Sequence, residues 1–286
     1  MIAKYKNITQ AAEALDSTQP ALSRLLSSLQ HDCGEVLYER TTHGIALTAA
    51  GEALLPYACA VAQSLEQARH FVKHKGGRLI TVLSIGLSHS LIPNLTPLLL
   101  KKASELKTMF PRIRLHLSEG YGEDLMGQVL HRQLDAAFIL EPYTVPPPML
   151  LRERVGEDML GLITPPHHPL SHQAMLPLSS LGGSTLIVPS AKSAIHQRVQ
   201  AQLAQSQVKV NMLEVSGPEA VKVAVKAGIG LGIGLQSYIA SDLQSRQLGF
   251  IQFEENGFAL GYYRITQDLN TMDTLKRETL TSLLIR

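Results

Sequence analysis

One stretch, "AAEALDSTQPALSRLLSSLQ" (Ala11 to Gln30), constrains the fold more than any other. Ile8, Ala11, Ala12 and Leu15 recur at helical spacing and form one apolar face. Leu22, Leu25, Leu26 and Leu29 repeat the pattern, and their face is expected to be buried. Asp16 and Ser17 end the first helix, and Thr18 suits the N-cap of the second. Pro20 falls in the first turn, where its missing N–H costs nothing. Gly34 then stops the helix. Gln19, Ser23, Arg24 and Ser27 lie on its more polar face.

The next elements are short and then long. Val36-Leu37-Tyr38 and Ile45-Ala46-Leu47 read as a small hairpin around Thr41 to Gly44. Thr48 can cap a third helix, along which Leu54, Ala58, Val61, Leu65, Ala68 and Val72 step alternately by four and three. That is a heptad seam, the pattern of a helix pairing with another helix; a face packed on its own domain gives the same spacing. "HKGGR" (His74 to Arg78) is expected to be a hinge.

From residue 79 the pattern changes. A β run at Leu79 to Ile85, a helix at Leu91 to Phe110, a strand at Ile113 to Leu117, a helix at Glu123 to Gln133 and a strand at Ala136 to Leu140 follow in turn. "EPYTVPPP" (Glu141 to Pro148) reads as a loop. A second series includes strands at Met159 to Thr164, Thr185 to Val188 and Val208 to Val215, helices near Ala194 to Ala204 and Pro218 to Lys226, and a strand in the glycine run. This order implies a mostly parallel sheet in two α/β halves with helices on both faces.

Composition narrows the class of function. The net charge of +2 argues for no partner by itself, and residues 1–75 balance acids against bases. A nucleic-acid surface would therefore be a local patch. Cys33 and Cys59 do not resemble a disulfide framework and are expected to be reduced packing residues. No run approaches the ~18 apolar residues of a membrane span, and no signal peptide is apparent. A cytoplasmic protein is expected, without a membrane partner.

Residues 9–55 resemble the winged helix-turn-helix of LysR-type transcriptional regulators. The resemblance rests on Ala11-Ala12, Leu15, Gln19-Pro20-Ala21, Ser23-Arg24, Gly34, Leu37-Tyr38, Arg40, Leu47-Thr48 and Ala50-Gly51. More loosely, "HPL" (His168 to Leu170) and "AGIGLGIG" (Ala227 to Gly234) are similar to the family's effector-binding domain. The resemblance implies an α/β protein in three parts. A winged helix-turn-helix occupies 1–48 and a linker helix 49–75. A two-lobed, periplasmic-binding-protein-like domain occupies 79–286, with lobe I at about 79–157 and 256–286 and lobe II at about 158–255.

It also implies partners. Double-stranded DNA at an interrupted palindrome would meet Thr9, Ser17, Thr18, Gln19, Pro20, Ser23, Arg24 and Ser27, with Arg40, Thr42 and His43 on the hairpin. Gln19 can pair with adenine and Arg24 with guanine or phosphate. The linker helices would pair the chain with itself as dimer or tetramer. RNA polymerase would be a further partner. The chain starts at Met1-Ile2-Ala3, where the family has the second half of a longer first helix. Leu15 and Leu25 are then expected to lack packing partners. Either the true start lies upstream or the DNA-binding unit is weakened.

Two α/β halves enclose a cleft at their strand ends. Ser88, His89, Ser90, Tyr121, Gly122, Glu141, Pro189, Ser190, Ser193, Ser216, Gly217 and Gly234 fall there. Several precede helices, which favours an anion, and a small organic acid is the expected effector. The same serines can serve only as helix caps. No enzyme motif is complete. "GLSHS" (Gly86 to Ser90) lacks the second glycine of a nucleophile elbow, and "SELK" (Ser104 to Lys107) lacks companions. "GIGLGIG" (Gly228 to Gly234) fits neither a P-loop nor a dinucleotide turn. His167, His168 and His172 sit on a Pro-rich loop without Cys or a nearby acid, so no metal or cofactor is expected. The alternatives are a cytoplasmic small-solute-binding protein and a regulator relic with impaired DNA binding.

Overall fold

The computed structural model describes residues 5–41, 44–73, 81–141 and 147–283. The chain divides into two compact units, Met1–Lys75 and Gly76–Arg286.

In the first unit, helix α1 (Ile8–Glu13) begins at Asn7, whose side chain accepts the backbone N–H groups of Thr9 and Gln10. Helix α2 (Gln19–Cys33) starts with Thr18 at the N-cap, extended but making no side-chain cap bond, and ends on Gly34 at φ 68°. Only glycine takes that left-handed turn without strain. Strands β1 (Tyr38–Thr41) and β2 (Gly44–Leu47) form an antiparallel hairpin. The Leu37 N–H donates to Gln30 Oε1 at 2.9 Å and ties the end of α2 to β1. Helix α3 (Ala49–Lys73) follows, its first turn held by Thr48 Oγ1, which accepts from the Gly51 N–H at 3.1 Å.

The core of this unit is Ile8, Ala11, Ala12, Leu22 and Ile45, with Tyr5, Leu26 and Tyr38 packed against it. The expected burial of the whole leucine face of α2 does not hold. Leu22 is buried and Leu26 half-buried, but Leu25 and Leu29 are 67% and 42% exposed. The cause is length. Six-residue α1 rises roughly 9 Å, while fifteen-residue α2 runs about 22 Å, so α1 covers only part of it. Leu15 is 47% exposed as well, so it and Leu25 lack full packing, as the second expectation for them had it. The uncovered leucines Leu15, Leu26 and Leu29 line an apolar groove of about 290 Å³, shared with Leu37, Leu54 and Leu55. Cys33 is also exposed, at the outward end of α2, against the expectation of a packing role; Cys59 is half-buried, and both are free.

The second unit carries a ten-stranded sheet in the order β4-β3-β5-β12-β6-β10-β8-β9, with β11 pairing off β6 and β7 pairing with β11. Strand β3 (Thr81–Ser88) leads through a helical turn at His89–Leu91 into α4 (Ile92–Leu106). Then come β4 (Ile113–Gly120), α5 (Gly122–Leu130) and β5 (Ala136–Leu140). Long strand β6 (Leu151–Thr164) enters the second half. That half holds β7 (Met175–Leu176), β8 (Thr185–Pro189), α6 (Ala194–Gln205), β9 (Asn211–Val215), α7 (Pro218–Lys226), β10 (Leu231–Leu235), α8 (Ala240–Gln244) and β11 (Gly249–Phe253). The chain returns through β12 (Ala259–Thr266) and closes with α9 (Thr274–Ser282).

Each half is parallel at its flank: β4, β3 and β5 in one, β10, β8 and β9 in the other. The centre is antiparallel, which the βα alternation did not foretell. There β6 pairs with β12 from Leu151 to Met159 and with β10 from Leu160 to Ile163. The reason is connectivity. β6 leaves the first half and β12 comes back, so the two run in opposite directions side by side, and β6 pairs in both halves. The unforeseen strands β11 and β12 lie in this return segment. Leu83, Ile85 and Leu87 pack with Leu91 of the helical turn and with Leu95 and Leu99 of α4 on one face. Leu125, Met126 and Val129 of α5 cover the other face with Ile139 and Ile265.

Candidate functional site

In the first unit, α2 turns its polar side outward. Thr9, Ser17, Thr18, Gln19, Pro20, Arg24 and Ser27 are exposed and Ser23 is half-buried. The Arg24 Nε–H donates to the Pro20 carbonyl at 3.4 Å, which lays the guanidinium along the helix toward its N-terminus. Ser27 Oγ donates to the Ser23 carbonyl at 3.0 Å. Arg40 is exposed on β1; Thr42 and His43, expected beside it, lie outside the described residues. The surface holds donors and acceptors at the start of a fifteen-residue helix, the arrangement that a major groove accepts.

The expected seam on α3 is only partly outward. Val61 and Leu65 are 69% and 51% exposed, and Ala58 is exposed, although it and Leu54 border the apolar groove of their own unit. Leu54 is half-buried there. The side chains of Ala68 and Val72 lie outside the described residues. Tyr57, which the seam omits, is also exposed.

In the second unit, a cleft opens where the parallel strands end. It is lined by eight of the expected residues: Ser88, His89, Ser90, Tyr121, Gly122, Pro189, Ser193 and Gly217. Ser88 and Ser90 are 8% and 5% exposed. Among the described residues their hydroxyls have no hydrogen-bonding partner. Ser193 caps α6 by accepting the Ile195 N–H at 3.2 Å, and Tyr121 and Gly217 stand at the N-caps of α5 and α7. The starts of three helices thus converge on one space, each with N–H groups lacking an intrahelical partner.

Bonds also cross this space from one half of the sheet to the other. Tyr121 Oη donates to the Ser216 carbonyl at 2.8 Å. Lys192 Nζ lies 3.5 Å from Asp124 Oδ2 and 6.0 Å over the Tyr121 ring, which leans on His89 with centroids 4.8 Å apart. Farther along, Arg198 reaches Glu141 at 3.3 Å, and Arg152 approaches the same carboxylate at 4.0 Å.

Four expected residues do not line the cleft. Glu141 is taken by Arg198 and Arg152, and Ser190 accepts from the Lys192 N–H at 3.5 Å. Ser216 contributes its carbonyl to Tyr121 rather than a side chain to the cleft. Gly234 lies within β10 opposite Gly161, where a Cβ would come 2.8 Å from Ile163, and so is a packing glycine. Sequence reasoning missed Glu123, Lys192 and Gln197. Lys192 was readable from its place between Ser190 and Ser193 in one strand-to-helix loop; Gln197 faces the cleft only because α6 turns that side to it. Behind the sheet crossing, Asp158 accepts from the Ser237 hydroxyl and from the Met159 N–H at 2.8 Å, and burial pushes its carboxyl up. Among the described residues no group of His, Cys, Asp or Glu stands where it could hold a metal ion. There, too, no helix is long and apolar enough to cross a membrane.

Comparison with known proteins matches both units. Residues 1–52 match the family described as "Bacterial regulatory helix-turn-helix protein, lysR family", and residues 76–281 match "LysR substrate binding domain". The HTH-type transcriptional regulator BbuR of Bordetella bronchiseptica is 24% identical over 275 residues, which cover 94% of this chain and 82% of that protein. Among solved structures, a full-length OxyR variant from Pseudomonas aeruginosa superposes with a TM-score of 0.67 at 19% identity, covering 99% of this chain and 90% of that one. The regulatory domain of CcmR from Synechocystis, in complex with 2-PG, superposes with a TM-score of 0.62 at 19% identity, covering 71% of this chain and 95% of that one. With both of its units matched, the chain belongs to the LysR family of DNA-binding transcriptional regulators with effector-binding domains.

Proposed function

We propose that α2 reads a duplex through Gln19, Ser23 and Arg24, and that a small anionic effector held in the cleft modulates this binding. The observation that carries the effector half is the meeting of three helix starts beside Ser88 and Ser90, whose hydroxyls have no hydrogen-bonding partner among the described residues, and the buried, unpartnered His89 Nδ1. Helix starts favour negative charge, and an unpaired buried polar group favours a ligand that completes its bonds. The complex of the CcmR regulatory domain with 2-PG supports the same use of this kind of domain. The exposed Val61 and Leu65 support pairing of α3 with a second copy, which would place two reading helices on an interrupted palindrome. A ligand changes such a protein only through unequal affinity for two of its states. The reading puts the chain in the cytoplasm with its DNA and gives it no catalytic role; RNA polymerase is the further partner of an activator.

Arg24→Ala tests the DNA half. Its affinity for the region upstream of its own gene is expected to fall by about 1–3 kcal/mol, or five- to hundredfold, at fixed salt. Fluorescence anisotropy would measure it, and an unchanged affinity removes the contact. A second reading, a regulator with impaired DNA binding, is favoured by the open groove at Leu15, Leu26 and Leu29. It would be chosen if the folded wild-type chain bound no such DNA above the non-specific level.

A further inference from the structure

We infer that Gln30 is a positioning residue: through the peptide between Val36 and Leu37 it joins the reading helix α2 to the start of α3, so that both helices and the hairpin meet DNA as one body. The consequence for DNA rests on the reading above; the joint itself does not.

Packing alone does not hold all of α2. Leu22 and Leu26, both in its first half, are its residues in the core of the unit. Beyond them, Leu29 is 42% exposed and Cys33 is exposed. Apolar contacts are non-directional, so a helix gripped only by its first half can pivot on them.

Hydrogen bonds, which are directional, take over at the far end. The Gly34 N–H donates to the His31 carbonyl and the Glu35 N–H to the Gln30 carbonyl, each at 3.2 Å. These two bonds close the helix and turn the chain toward β1. The half-buried Gln30 side chain then spans the turn, its Oε1 accepting the Leu37 N–H at 2.9 Å.

The same peptide is bonded on its other edge. Its planar trans geometry aims the Leu37 N–H and the Val36 C=O in opposite directions. The N–H goes to α2. The Val36 carbonyl accepts the hydroxyl of Thr48, whose oxygen also accepts the Gly51 N–H in the first turn of α3. The Leu37 carbonyl, next along, accepts the Thr48 N–H at 3.2 Å, and a Cβ on Gly51 would stand 1.9 Å from that oxygen. One peptide thus carries a bond toward each helix, and a tilt of α3 passes through it to α2. Cutting either bond leaves α2 hinged on Leu22 and Leu26.

The chain's two cysteines sit on the two helices, Cys33 on α2 and Cys59 on α3, and both are free. With spin labels on both, and labelled full-length chain diluted in unlabelled chain, double electron–electron resonance reads the distance between the helices. Gln30→Met removes the acceptor at similar helix propensity, whereas Gln30→Glu keeps an acceptor in place. Gln30→Met is expected to make the distance distribution about twice as wide as in the wild type, and Gln30→Glu to keep the wild-type width. Fluorescence anisotropy with DNA from upstream of its own gene should show about a three- to tenfold loss of affinity in Gln30→Met, the worth of one hydrogen bond, and little loss in Gln30→Glu. Circular dichroism matching the wild type would show the variants folded. Were Gln30→Met unfolded, Thr48→Val, which cuts the other edge of the peptide, carries the same expectations. Equal widths in wild type and Gln30→Met, or equal widening in Gln30→Met and Gln30→Glu, would overturn the joint. A wider distribution with unchanged DNA affinity would overturn the positioning role. A wider distribution in Gln30→Met, with a wild type that bound no DNA above the non-specific level, would overturn the DNA reading and leave the joint standing.

Discussion

Gly51 shows how much one position can hold. A Cβ there would stand 1.9 Å from the Leu37 carbonyl oxygen, so only glycine lets the start of α3 lie against the hairpin strand. The pattern Ala50-Gly51 carried the resemblance in the sequence; the reason for it is a backbone approach that spacing does not reveal. Asp242 is the opposite case, a position with no sequence signal. It is 5% exposed and meets Lys222 at 3.0 Å and also Lys226. Burial alone would raise its carboxyl, but hydrogen bonds from Lys226 and Lys222, and the charge of both, outweigh burial and hold it below its ordinary value. A carboxyl lowered on folding stabilises above its unfolded pKa of about 3.9, and that contribution is lost as pH falls through the lower folded value. Asp242→Asn is therefore expected to cost about 1–3 kcal/mol at pH 7, because Lys222 then keeps only Glu219, 3.1 Å away, as its counter-charge. Urea midpoints should show the gap from wild type narrowing below about pH 4. A gap constant from pH 7 to pH 3 would mean that the pair does not act through charge.

Helix α2 has two sides, one polar and one apolar, and the apolar side is unevenly covered. Its inner turn is anchored by Leu22, while Leu25 one turn on is mostly in solvent. Leu22→Ala is expected to cost about 2–5 kcal/mol through the cavity it leaves in a small core. Leu25→Ala is expected to stay within about 0.5 kcal/mol. Thermal unfolding of the two variants would separate them, and equal losses would show that Leu25 is covered in solution. Helical period placed both leucines on one buried face; Leu22 is buried there, but Leu25 is mostly in solvent and does not line the groove shared by Leu22, Leu26 and Leu29. In the second unit the same limit applies to strands. Alternation marked β3, β4, β5 and β8, yet β11 and β12 went unread, because a strand that returns through the middle of a sheet has no βα unit of its own to announce it.

The proposed self-pairing rests on the surface of α3. Tyr57, Val61 and Leu65 are exposed apolar side chains on one long helix, a surface that water disfavours. Val61→Glu is expected to weaken self-association by about a hundredfold or more, because two carboxylates would be buried unpaired between paired helices. Light scattering on the eluting protein should read a shift to the monomer mass. A wild-type chain that is monomeric at tens of micromolar would remove the pairing altogether. The cleft belongs to the same level of organisation. Its eight expected residues come from four separate connections, and only the convergence of the parallel strand ends brings them together.

Local patterns are complete in the amino-acid order, since helical period, capping residues and a proline in a first turn act within a few residues of one another. Those patterns sufficed for the two-helix reading unit, the long third helix and the alternating second unit. Contacts between segments far apart in the chain are not encoded locally. The antiparallel centre of the sheet, the exposure of Leu25 and Leu29, the pairing of Lys192 with Asp124 and the bridge from Tyr121 to Ser216 all depend on where whole elements come to rest. That is settled by burial and by the reach of each element, and it appears only once the chain is packed.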